Sequence, residues 1–226
     1  VGPRVLGSAK LPAFLMADQL STIKNGAMII DLSPSAEFAE THVPGTINIP
    51  LSMLAAWAGW LVDYEKPVYL IAESSQLPEA MRVLHKIGID LVQGMFEKTN
   101  LKEAGLASES YVSESPIELA PRIEAGDVRL IDVRSDSEWN ASHIPQAEHI
   151  FLGHLSDQLN QCEASKPVAV QCQSGARSAI AASIMQAAGY DVINLAGGFQ
   201  AWKEAGLTTT ATETVACGSA SVTTCS

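Results

Sequence analysis

The sequence predicts an α/β protein of two domains, each a mostly parallel sheet with helices on both faces. An internal repeat is the first observation. Asp132, Glu138, His143 and Pro145 lie 101 residues after Asp31, Glu37, His42 and Pro44, and Lys102-Glu103-Ala104-Gly105-Leu106 recurs letter for letter as Lys203-Glu204-Ala205-Gly206-Leu207. Agreement at several separated positions marks two copies of one structural unit. The second observation is alternation: short apolar runs exchange with stretches of helical composition, as βαβ units require. The divisions that follow are a linker at 1–16, a first domain at 17–107, a second linker at 108–115, a second domain at 116–207 and a polar tail at 208–226. Ligands of such sheets collect beyond the C-terminal ends of the strands.

Taken in order, residues 1–14 carry Gly2, Pro3, Gly7 and Pro12 without periodicity and read as extended chain. A helical stretch over 17–24 ends at Asn25-Gly26, and Met28-Ile29-Ile30 runs as a strand into Asp31. Ser33-Pro34 opens a short helix through Phe38, His42-Val43-Pro44-Gly45 is a turn, and 47–50 is a short strand. Residues 51–61 have helical composition; Trp57 and Trp60, three apart, are expected to pack in the first domain or against the second. Lys66-Pro67 precedes a strand over 68–72, and a helix over 78–87 stops at Gly88. A joining segment holds Ser108, Ser110, Ser113 and Ser115, and the second copy then repeats the pattern. Gly197-Gly198-Phe199 reads as a tight turn into the last helix.

Composition narrows the class. A chain of 226 residues, 47% hydrophobic and 17% charged, suits a soluble globular protein with a real core. A net charge of −11 with only 14 Lys and Arg argues against nucleic acid or an anionic membrane as partner. No apolar run reaches membrane-spanning length and no signal-peptide pattern opens the chain, so a cytoplasmic setting is expected. Cys162, Cys172, Cys217 and Cys225 have neither disulfide-scaffold density nor CxxC spacing, which fits free thiols in a reducing compartment. His149 and His154 lack ligand-like companions, and neither metal nor cofactor is expected. Because it begins at Val1, the sequence is expected to be a processed product or part of a longer one.

The chemistry concentrates in Cys172-Gln173-Ser174-Gly175-Ala176-Arg177-Ser178. The stretch follows the strand-like Pro167-Val168-Ala169-Val170 and precedes a helical run over 179–185, which places a thiol at a strand-to-helix turn. Unpaired N–H groups and the positive end of the helix dipole face that thiol, and Arg177 adds charge; together they favour the nucleophilic thiolate. Gly175 permits a turn in which successive N–H groups of Gln173 to Ser178 point inward as an anion nest. Cysteine-dependent phosphatases use Cys-x5-Arg, whereas only four residues separate Cys172 from Arg177 here.

This stretch resembles the active loop of the rhodanese family, Cys-x-x-Gly-x-Arg, with Cys172, Gly175 and Arg177 matching position by position. Asp132-Val133-Arg134, Glu138-Trp139 and His143-Ile144-Pro145 resemble the family's upstream signature. The resemblance implies a sulfurtransferase that carries sulfane sulfur on Cys172 as a persulfide, with residues 173–178 binding substrate. Trp57-Ala58-Gly59-Trp60 and the incomplete first copy look like the tandem rhodanese pair of persulfide dioxygenase fusion proteins. That implies thiosulfate, sulfite and glutathione or its persulfide as small-molecule partners, and an upstream metallo-β-lactamase-type domain. A cysteine-dependent phosphatase, an arsenate reductase and a non-catalytic interaction module are the alternatives.

The repeat supplies its own comparison. Aligning the two Lys-Pro-Val strands sets Ala72 opposite Cys172, followed by Glu73-Ser74-Ser75-Gln76-Leu77 with neither the Gly nor the Arg. The first copy is therefore expected to be inactive and to shape the mouth of the second. Asp132 is expected to hold Arg177 by a charge-assisted hydrogen bond. His143 is read as scaffold, since His42 occupies its place in the copy without a thiol. Residues 208–226 hold no Lys or Arg and read as a mobile tail.

Overall fold

The computed structural model describes residues 11–23, 26–90, 92–159 and 165–212. Two five-stranded sheets form, both entirely parallel. The first contains β1 (Ala13–Leu15), β2 (Met28–Asp31), β3 (Ile47–Asn48), β4 (Val68–Ala72) and β5 (Val92–Glu97), in the order β1-β5-β4-β2-β3. The second contains β6 (Val112–Glu114), β7 (Arg129–Asp132), β8 (Ala147–His149), β9 (Val168–Gln171) and β10 (Val192–Leu195), in the equivalent order β6-β10-β9-β7-β8. Around the first sheet lie α1 (Leu20–Ile23), α2 (Ser35–Glu40), α3 (Leu51–Leu61), α4 (Leu77–Lys86) and α5 (Lys98–Glu103). Around the second lie α6 (Pro116–Glu124), α7 (Asp136–Ala141), α8 (Leu155–Gln158), α9 (Ala176–Ala187) and α10 (Gly198–Glu204).

The apolar strand runs follow from burial on both faces. Ile30, Leu70 and Met95 pack into the main core, while their neighbours Ile29, Ile71 and Phe96 pack into a second cluster on the opposite face with Leu20 and Leu101. In the second sheet Ile131 and Val170 face the main core, and Leu130 and Ala169 face Leu119, Phe199 and Trp202. The alternation of side chains along each strand produces this division.

Two stretches read as linkers contribute strands instead. Ala13–Leu15 pairs with β5, within the segment assigned to the linker at 1–16, and Val112–Glu114 pairs with β10, within the linker at 108–115. Both are three-residue sheet edges, too short to show an alternating pattern. In the stretch read as a polar tail, Thr210 exchanges backbone hydrogen bonds with His143, and Thr208 O accepts from Trp202 Nε1 at 3.0 Å. Residues 213–226, with Cys217 and Cys225, lie outside the described residues, as does Cys162.

The two domains share one core. Helix α9 packs on its own strands β9 and β10 and also against β3 of the first domain. Its residues Ser178 to Met185 are all buried, which explains a stretch of small and apolar residues with no charged face. Ser183 Oγ accepts the Asn48 N–H at 2.9 Å, so the helix satisfies a backbone donor on the edge strand β3. Ile30, Leu54 and Leu84 of the first domain and Ile180, Ile184 and Met185 of the second belong to a single apolar cluster. No helix among the described residues is long and apolar enough to cross a membrane.

Candidate active site

Strand β9 ends at Gln171, and the chain must leave the sheet and start α9 at Ala176. Gly175 allows so short a turn: its φ of +100° lies in the left-handed region, where a side chain is strained. The turn aims the Gly175 N–H back at Cys172, whose Sγ accepts it at 3.2 Å. Cys172 is only 1% exposed and borders the main core, so the thiol forms the floor of the loop and not its rim. Gly175 supplies the amide that bonds the sulfur here.

The other loop residues divide by role. Ser174 and Ala176 are exposed, and Gln173 and Arg177 are half-buried. Ser178 is buried, and its hydroxyl donates to Asn194 Oδ1 at 2.7 Å, with Gly175 O a second acceptor within reach at 3.1 Å. It ties the helix start to β10. Gln173 Oε1 accepts from Arg134 Nη1 at 3.4 Å.

Arg177 is held by Glu138, not by Asp132 as expected. Its Nη1 and Nη2 donate to the two carboxylate oxygens of Glu138, each at 2.7 Å. Asp132 is already taken by Arg134, which donates from its backbone N–H and Nε at 3.0 Å and from Nη2 at 2.6 Å. Arg134 leaves the same strand end two residues later, and at 2% and 0% exposure neither side chain of the pair has another route to neutralisation. Glu138 sits on the first turn of α7 in a capping box: its Oε2 accepts the Ser135 N–H at 3.0 Å and the Ser135 hydroxyl at 2.8 Å. The Arg177 guanidinium holds the Glu138 carboxyl down to about 2, and Glu138 in turn raises Arg177, with Cys172 adding to the same effect.

The loop is also fixed from below. Phe199 N donates to Cys172 O at 2.7 Å and Gln200 N to Gln173 O at 3.0 Å. This close approach requires Gly198, with φ +59°, because a Cβ there would stand 2.3 Å from Cys172 O. The Arg134 guanidinium lies 4.0 Å over the Phe199 ring, linking Asp132, Arg134 and Phe199 into a support for the loop. Sequence reasoning did not single out Arg134 or Gly198 for this role. A signal was present: at the 101-residue offset the first copy has Ser33 in place of Arg134 and Glu97 in place of Gly198, so both accompany the thiol.

The first copy has no equivalent machinery. Its strand β4 runs through Ala72, and a short 3-10 turn at Ser74–Gln76 replaces the cradle. Ser74 donates its hydroxyl to Glu97 at 2.6 Å, and burial together with Glu97 raises the Glu73 carboxyl. Asp31, lacking an arginine partner, accepts the Ser33 N–H at 2.8 Å, and burial pushes its carboxyl up.

His42 and His143 repeat one arrangement. The first stacks on Phe38 at 3.8 Å with Nδ1 on Phe38 O at 2.7 Å, and the second stacks on Trp139 at 3.7 Å with Nδ1 on Trp139 O at 2.9 Å. Both rings brace the helix before their turn. Trp57 and Trp60 meet Phe151 of the second domain, with centroids at 6.0 and 5.5 Å. Phe151 lines a cleft of ≈ 260 Å³ with Ser135, Asp136 and His154. No group of three potential metal ligands occurs among the described residues.

Residues 16–99 and again 115–205 match the rhodanese-like domain family. The chain is 34% identical over 97 residues to a thiosulfate sulfurtransferase, GlpE, of Shewanella oneidensis, covering 42% of this chain and 96% of that one. It is 39% identical over 75 residues to the Bacillus subtilis protein YqhL, covering 33% and 60%. A crystal structure of a rhodanese-related protein from Thermoplasma volcanium aligns with 46% of this chain and all of that one, at 28% identity and a TM-score of 0.43. The chain belongs to the rhodanese-like domain family, whose unit it carries twice.

Proposed function

We propose that this chain is a sulfurtransferase that carries sulfane sulfur on Cys172. The carrying observation is a thiol at a strand-to-helix turn whose sulfur accepts a loop amide, with an arginine fixed beside it. The Cys172 thiolate attacks the outer sulfur of thiosulfate or of a low-molecular-weight persulfide. A new S–S bond forms as the donor's S–S bond breaks, and sulfite or a thiol departs. The terminal sulfur then occupies the loop among the N–H groups of residues 173–178, where the α9 terminus favours negative charge. An acceptor thiol, sulfite or cyanide removes it and regenerates the thiolate.

The sulfurtransferase name of the Shewanella relative supports this reading, as does the four-residue spacing between Cys172 and Arg177, one short of the phosphatase pattern. The first copy, with Ala72 where the second has Cys172, serves as packing for α9 and as one wall of the site. The test is turnover with cyanide as acceptor. Thiocyanate should form with the wild-type chain and fall to background with Cys172→Ser, while Ala72→Cys in that variant should not restore it. Equal thiocyanate from Cys172→Ser would overturn the assignment.

A further inference from the structure

A hydrogen-bonded path reaches the loop from β8, at the edge of the second sheet. His149 Nε2 lies 2.8 Å from Arg134 O, and since a carbonyl oxygen accepts, Nε2 carries the proton. The same peptide unit gives its N–H, that of Ser135, to Glu138 Oε2 at 3.0 Å. That carboxylate oxygen also accepts from Arg177 Nη1 at 2.7 Å. One peptide is therefore held at its oxygen by His149 and at its nitrogen by the side chain that fixes the loop arginine. Bonds in such a series polarise one another. The ring is oriented for this bond by stacking on Trp139, with centroids 4.9 Å apart and planes at 11°. Its other nitrogen, Nδ1, stands 3.7 Å from Asp136 Oδ1, beyond hydrogen-bond reach.

The first copy shows which part of the path accompanies the thiol. At the 101-residue offset Asn48 stands in place of His149, and its Nδ2 donates to the equivalent carbonyl, Ser33 O, at 2.9 Å. A donor at this position is common to both copies. There the path stops, because Pro34 replaces Ser135 and has no N–H to give. Glu37, the counterpart of Glu138, is taken instead by Lys98 Nζ at 2.7 Å. Of the two copies, the one with Cys172 continues from the carbonyl to a carboxylate and an arginine.

We propose that His149 is a positioning residue for sulfur transfer, acting through the 134–135 peptide and Glu138 to hold Arg177 at the Cys172 loop. The inference rests on the sulfurtransferase reading above. Proton transfer is not the role of the ring: what it supplies is the N–H on Arg134 O, which an asparagine can also supply.

Single-turnover sulfuration of Cys172 by thiosulfate, followed across pH, tests the inference. His149→Phe keeps a ring on Trp139 but removes the donor, and the rate should fall about tenfold while circular dichroism reports a folded chain. His149→Asn, which installs the first copy's residue, should restore the rate to within about twofold with the pH profile unchanged. Ser135→Pro suits the φ of −68° at that position and cuts the path at its next bond. Adding His149→Phe to it should slow loading no further. A wild-type rate from His149→Phe, an equally slow His149→Asn, or additive losses in the double variant would overturn the inference. So would a lost limb of the pH profile in His149→Asn, the mark of a proton carrier. Nitrogen NMR of the unaltered chain should find the neutral His149 ring protonated on Nε2; a proton on Nδ1 would overturn the inference however the variants fold. Failure of thiosulfate to load Cys172 in the unaltered chain would overturn the reading beneath, and the inference with it.

Discussion

Replacing Gly198 by Ala probes how the loop is held. The added Cβ would stand 2.3 Å from Cys172 O and 3.0 Å from Gln173 C and Ser174 N, all backbone atoms that no rotamer change can move aside. The φ of +59° adds left-handed strain of about 1–2 kcal/mol, and forcing backbone apart in a packed region costs about 1–3 kcal/mol more. A total of about 3 kcal/mol corresponds to a fall of roughly 6–12 °C in Tm for a chain of this size. Movement of the Cys172 carbonyl would also break its bond from Phe199 N and displace the sulfur, so sulfur loading should slow by about tenfold or more. Gly189→Ala is the control: φ is +91° but nothing lies within 4 Å of the new Cβ. It should cost about 1 kcal/mol and leave loading unchanged. Thermal unfolding and the single-turnover rate would be measured on both. If Gly198→Ala melts and loads sulfur like Gly189→Ala, the close approach does not hold the loop.

Three further outcomes are expected. Glu138→Gln should loosen Arg177, lower the loading rate, and cost about 1–2 kcal/mol once the side chain's 31% exposure is allowed for. Because the Glu138 carboxyl is depressed from 4.5 to about 2, its stabilisation is full above pH 4.5 and lost as pH falls toward 2; acid unfolding of the Gln variant should lack that component. Ser183→Ala would leave the buried Asn48 N–H unpaired between the domains and destabilise by about 1–3 kcal/mol in urea titrations, with the slope unchanged. Gln171→Ile should stabilise by about 1 kcal/mol, since the carboxamide is fully buried without a hydrogen-bond partner among the described residues and the first copy has Ile71 there; a loss of stability would show that the amide is satisfied by solvent.

The double α/β architecture was legible because burial on both sheet faces forces continuous apolar strand runs, and because two copies repeat the same turns. Helix α9 was legible as a helical run after the loop, although nothing in its residues says that its second face meets β3. The partner of Arg177 was not legible. Asp132 and Glu138 both precede it, and only the fold shows that Arg134 has already closed on Asp132. Edge strands β1 and β6 escaped because three residues cannot display a period. The floor beneath Cys172 depends on Gly198, distant in sequence, and the comparison between copies was the only clue to it.

Mass spectrometry of the intact chain after incubation with cysteine persulfide tests sulfur carriage on Cys172 most directly. The wild-type chain should gain one sulfur atom, located on the peptide containing Cys172 and removed by cyanide, and Cys172→Ser should gain none. A Cys172→Ser chain that gains the same removable sulfur would contradict the account.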